Sequence, residues 1–177
     1  MKVLIASIFF AVLMLSCENK KEQTPITTTE LPNGSPEVVA PTLHCYMFTN
    51  GKDSISLSYT QENDEIDGWM NYDFFEKDGS IGEIDGKFFG DTLKLEYEFM
   101  SEGMISEQQV YFLKKDGKLY RGAGDMKTNN DSMMVYSDPK QIKFDDTTPL
   151  SHLDNCPENF MKKESIDTYK KVSEKRD

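Results

Sequence analysis

Two histidines, three cysteines, a surplus of carboxylates and one arginine isolated in the body of the chain are the groups with chemistry to offer. His44 adjoins Cys45, and His152 lies four residues before Cys156. A cysteine paired with a histidine makes a thiol nucleophile, but a disulfide at Cys45 would remove it. Two histidines without an obvious third ligand make a weak metal site, and solvated positions at strand edges suit them better. The run from Asn63 to Gly68 puts Asn63, Glu65 and Asp67 at the first, third and fifth places of a calcium loop. The twelfth place is then Phe74, where a bidentate glutamate is needed, so the pattern reads as a hydrated hairpin. G-x-S-x-G, H-E-x-x-H, phosphate-loop and dinucleotide-loop patterns are absent. No catalytic residue, metal or cofactor is assigned, and a non-enzymatic role is expected.

Arg121 is the one arginine before the extreme tail, and Gly122 and Gly124 flank it. It either faces water from a strand or points into a core. There it needs a carboxylate partner, and Glu76 and Glu102 are the candidates. These residues must be held by strands. Ile55, Leu57 and Tyr59 alternate with serines and a threonine, and Leu93, Leu95, Tyr97 and Phe99 alternate with polar residues. Ile66, Met70, Tyr72 and Phe74 share a face opposite Asp67, Trp69, Asn71 and Asp73. Period two with one wet and one greasy face marks antiparallel strands. Trp69 on the wet face is expected to meet a satellite segment or serve as a ligand platform. Asn-Gly and Asp-Gly turns recur between the runs and supply the positive φ of tight hairpins. The expectation is an all-β antiparallel meander of about eight strands between Leu43 and Phe144. Glycines 68, 82, 86, 122 and 124 in or beside strands favour strong curvature, so the sheet is a closed or nearly closed barrel, the alternative being an open twisted sheet. After Pro157, Phe160, Ile166, Tyr169 and Val172 give a weak stripe, expected as a short helix or a disordered tail.

The chain carries 20 Lys and Arg against 31 Asp and Glu, a formal net charge of −11. Such acidity leaves no footprint for nucleic acid, repels anionic lipid and attracts basic proteins.

The N-terminus fixes an address. Val3 to Leu15 is apolar apart from Ser7, long enough for a signal-peptide core and short of the ~20 residues of a spanning helix. Met14-Leu15-Ser16-Cys17 resembles the lipobox of bacterial lipoproteins. The resemblance implies cleavage after residue 16 and acyl chains on Cys17, with the protein in the cell envelope, most simply at the outer membrane. Two or more chains hold stably where one does not, at ~0.8 kcal/mol per buried CH₂. Residues 17–42 hold four of the seven prolines and clustered threonines, a tether reaching on the order of 80 Å if fully extended. Residues 43–156 form the folded domain and residues 157–177 a charged tail. Since that compartment is often oxidising, Cys45 and Cys156 are expected either to bridge or to remain as two buried thiols.

The Glu76-Lys77-Asp78 turn, the Gly90-Asp91-Thr92-Leu93 strand entry and the Ser101-Glu102-Gly103 hairpin with Ser106 resemble a group of small lipoproteins of Bacteroidetes. So do the Cys45-Tyr46 start and the late Cys156. The resemblance implies one β domain and supports the bridge, but carries no function. Asp-Ser/Thr-apolar triplets beginning at Asp53, Asp91 and Asp131, with Asp146-Thr147-Thr148, are similar to sites where Bacteroidetes attach O-glycans, which implies Ser54, Thr92, Ser132 and Thr147 as acceptors; ordinary strand-entry chemistry explains them equally. The leading reading is a lipid-anchored binding or structural module. One alternative is an inhibitor of lysozyme-type enzymes, which small acidic disulfide-stapled lipoprotein barrels resemble, although the Ser-Gly loop of that family is not evident. A second is a carrier of a small apolar ligand.

Overall fold

The computed structural model describes residues 40–175. The leader, Cys17 and most of the tether therefore lie outside the described residues.

Seven strands follow one another by hairpins or short loops: β1 (Thr42–Thr49), β2 (Ser54–Glu62), β3 (Glu65–Asp73), β4 (Ser80–Phe89), β5 (Thr92–Ser101), β6 (Met104–Lys115) and β7 (Lys118–Ala123). Each pairs antiparallel with the next. Three short strands then make an excursion: β8 (Met126–Thr128), β9 (Met134–Tyr136) and β10 (Lys143–Phe144). β11 (Leu150–Leu153) returns between β7 and β1 and closes an eight-stranded barrel. The sheet is a closed antiparallel barrel, as the glycines and alternation predict. Its eighth stave lies beyond Phe144, where the sequence expectation had stopped; four residues of Leu-Ser-His-Leu are too few for periodicity to register.

The hairpins take the turn chemistry written in the sequence. Glu102-Gly103 and Asp116-Gly117 have positive φ at both central residues (51° and 76°, 52° and 72°), the I′ geometry whose twist matches the flanking strands. Alternation then decides which side chains fill the barrel. Tyr46, Tyr59 and Tyr97 are each 1% exposed, and Leu57, Met70, Leu93, Val110, Phe112, Leu119 and Leu150 are wholly buried. The interior is packed.

Curvature is concentrated on β3 and β4. A methyl group added at Gly68, Gly82 or Gly86 would overlap a carbonyl of the neighbouring strand, at Ser58, Glu98 and Lys94 respectively. The strands coil so closely there that only a residue without Cβ fits.

Cys45 and Cys156 form a disulfide with Cα atoms 5.4 Å apart. It ties β1 to the segment beyond β11. The chain then forms α1 (Lys163–Ser173), so the tail contains the short helix of the two forms expected. Ser165, Ile166, Tyr169, Val172 and Ser173 are its less exposed positions, spaced as one helical face. Tyr169 packs edge-on against Trp69 of β3, ring centroids 5.4 Å apart.

Candidate functional site

The barrel has two unlike ends. At one, His44 of β1 lies 5.8 Å from His152 of β11 between ring centroids, and Lys114 of β6 stands 5.4 Å above the Phe88 ring. Burial lowers the pKa of His44, with smaller contributions from the charges of Lys114 and His152. A third basic group beside two histidines opposes a cation. Among the described residues no group of three His, Cys, Asp or Glu side chains is placed to hold a metal ion.

The other end is built around Arg121. β6 and β7 pair from Lys115–Lys118 as far as Phe112–Arg121 and then separate. Beyond that fork β7 pairs with β10 through Gly122 and Ala123, while β6 meets β9 in a single parallel bridge at Gln108–Met134. Tyr136 of β9 closes the fork, its hydroxyl donating to the Gly122 carbonyl at 2.9 Å. Ile142 packs on Gly122. Arg121 lies two residues after inward-facing Leu119 and shares its face of the strand, so its side chain enters the barrel at the point where the wall opens. The guanidinium carbon lies 5.2 Å from the Tyr72 ring centroid, in range for a cation–π contact.

Arg121 has no acceptor where it most needs one. Its Nε is closed off from solvent without a hydrogen-bond partner, and so is the Tyr72 hydroxyl. Burial raises the Tyr72 pKa, and the Arg121 charge opposes that rise. The sequence had offered Glu76 and Glu102 as partners. Both are exposed, Glu76 in the β3–β4 loop and Glu102 in the β5–β6 turn. The ion pairs of the described residues join Lys87 to Glu65 and Lys162 to Asp73. Neither glutamate is paired with Arg121: Phe74 at the end of β3 walls the same mouth, but Glu76 two residues on is exposed, and Glu102 lies in a cleft outside the barrel.

A cavity of about 210 Å³ opens above the guanidinium, walled by Phe48, Ile55 and Phe74 and rimmed by Asn50, Asp53 and Asp145. Both aspartates are engaged. Asp53 accepts from the Phe75 N–H and from Asn50 Nδ2, each at 2.9 Å. Asp145 accepts from the Thr147 N–H at 2.8 Å, from the Thr147 hydroxyl at 2.7 Å and from the Thr148 hydroxyl at 3.1 Å. The Asn50 hydrogen bond chiefly holds the Asp53 carboxyl below its usual range, and the Thr147 N–H does the same for Asp145, with Arg121 a minor contributor. The mouth thus offers a cation at its floor, apolar walls and two ionised carboxylates at its rim. It has no nucleophile and no acid–base pair. Sequence reasoning missed Asp145, which reaches the rim because its N–H donates 2.8 Å to the Arg121 carbonyl beyond β10.

A larger cleft of about 560 Å³ runs outside the barrel, between the β1–β5 surface and the segment from Phe160 to Thr168, and it includes Glu102. Trp69 is covered rather than open: Tyr169 lies against it and Lys170 Nζ stands 5.7 Å from its ring centroid. Of the four hydroxyls set out for glycans, Ser132 and Thr147 are exposed, and Ser54 and Thr92 are half-buried at strand entries.

No family model, no curated protein and no solved structure matches the chain.

Proposed function

We propose that the protein is a lipid-anchored binding module of the cell envelope, held by acyl chains on Cys17, which binds through the Arg121 mouth without catalysis. The observation that carries the binding end is the sealed, unpartnered guanidinium nitrogen in a barrel that is otherwise filled. A buried donor without an acceptor costs about 1–3 kcal/mol, and such a group is rare enough in a folded protein to mark a role beyond packing. Tyrosine, leucine and phenylalanine occupy the interior that a carrier of a larger apolar molecule would need, so small ligands at the mouth are the form of the carrier reading that fits.

The experiment is a thermal-shift screen of the purified chain against a small-molecule panel, run beside Arg121→Met. At least one compound stabilises the parent chain and leaves the variant unmoved. A panel in which every shift is shared by both proteins removes the mouth as the binding end. The anchor is tested separately: Cys17→Ala moves the protein from the membrane to the soluble fraction of its host, and retention in the membrane overturns the lipid attachment.

Inhibition of a lysozyme-type enzyme is the second reading. The disulfide-stapled barrel and the net charge of −11 favour it, since an acidic surface steers a basic enzyme. A lysis assay with and without the purified chain decides it. O-glycans, where carried, belong on Ser132 and Thr147, and the intact mass of the native protein reports them.

A further inference from the structure

We infer that the Arg121 mouth takes a compact apolar monocarboxylate, either a free small acid or the terminal carboxylate of a peptide. The inference rests on the binding reading above and adds the chemical class. Three features converge on it. The floor group is a guanidinium, whose planar fork matches a carboxylate in two parallel hydrogen bonds, and its Nε lacks any acceptor. Phe48, Ile55 and Phe74 surround the space next to the cation, so the body behind the carboxylate is apolar. The space of about 210 Å³ falls below the ~300–1,000 Å³ of pockets for drug-sized molecules, which limits the ligand to one ring or one residue.

The rim sets the charge. Asp53 and Asp145 face the entrance, and both carboxylates are committed to N–H and O–H donors that favour their ionised form. A ligand with two negative charges meets repulsion there before it reaches Arg121. A monocarboxylate brings one charge to one guanidinium and meets about half the rim repulsion that a dianion meets. Dianionic phosphates and phosphonates are disfavoured by the same rule.

The test uses the full mature chain, uniformly labelled, and follows amide resonances by NMR while five probes are added. These are phenylacetate, phenylacetamide, benzylphosphonate, and the tripeptide Ala-Ala-Phe as the free acid with its C-terminal amide as control. Phenylacetate or the peptide acid should give saturable shifts centred on Asp53, Phe74, Gly122 and Ala123. The corresponding amide and benzylphosphonate should bind at least tenfold more weakly. Which acid binds names the source. Arg121→Met should abolish the shifts, and Ala123→Phe, which keeps the arginine and blocks the entrance from an exposed position, should do the same. Equal binding of acid and amide, saturation that survives either variant, or no saturable shift with either acid overturns the inference. A screen hit that depends on Arg121 while both acids fail leaves the binding reading standing and removes only the ligand class. No Arg121-dependent hit at all removes both.

Discussion

Arg121 is held by packing rather than by an opposite charge, and this predicts an unusual response to mutation. The guanidinium stacks on Tyr72 and its Nε is unsatisfied. An apolar side chain of similar length fills the same space beside Tyr72 and leaves no buried N–H unpaired, a donor that costs about 1–3 kcal/mol when its acceptor is missing. Arg121→Met is therefore expected to keep or raise the melting temperature while losing any ligand; a clear fall in stability, read by urea unfolding, would mean that the arginine serves the fold. His44 predicts a pH response. Its folded-state pKa is lowered from the ordinary 6.5, so the unfolded chain binds its proton more readily. The sign follows from linkage: stability is intact above about pH 6.5 and declines as pH falls through the folded value. His44→Gln should flatten the part of the melting-temperature profile between neutral pH and pH 5, and identical profiles for the two proteins would refute the assignment.

At the scale of elements, β3 and β4 depend on their missing side chains. Gly82 faces the Glu98 carbonyl so closely that a methyl group must push the strands apart. Gly82→Ala should cost about 3 kcal/mol or more, at the upper end of overpacking, whereas alanine at Gly51, where nothing stands within 4 Å but φ is +88°, should cost less, about 1 kcal/mol. Paired denaturation curves compare them. The helix depends on one side chain. Tyr169 is 1% exposed, meets Trp69 edge-on, and donates to Glu98 Oε1 at 2.6 Å, where Ser173 also donates at 3.0 Å. Burial, aided by the Glu98 contact, raises the Tyr169 pKa, so the phenol stays protonated and able to donate. Tyr169→Ala should cost roughly 3 kcal/mol and raise Trp69 fluorescence quenching by added iodide. Unchanged quenching would show that the helix stays docked without its tyrosine.

At the scale of the molecule, closure has two independent fastenings. The disulfide joins residues 111 apart in sequence, and β11 pairs with β1 at Cys45–Leu153, Tyr46–His152 and Met47–Ser151. Reduction should lower stability by about 2–4 kcal/mol yet leave a folded barrel, because the sheet itself still brings the two ends together. Circular dichroism and unfolding with and without reductant test this, and collapse of the β signal on reduction would show that the strand pairing cannot close the barrel alone.

Strand and turn were legible in the sequence because they are local. The alternation of Leu93 to Phe99 and the Asp-Gly at 116–117 each specify their conformation within a few residues, and β11 escaped notice because four residues hold too little of the period. The pairing of Cys45 with Cys156 was legible because only two body cysteines exist to pair. The tertiary structure alone decided that Arg121 points inward, that Asp53 and Asp145 stand over it while Glu76 and Glu102 do not, and that the tail covers Trp69. Those outcomes depend on where β6 and β7 part and on which strand ends a closed wall brings to one mouth. They are contacts between residues far apart in the chain, and no local pattern encodes them.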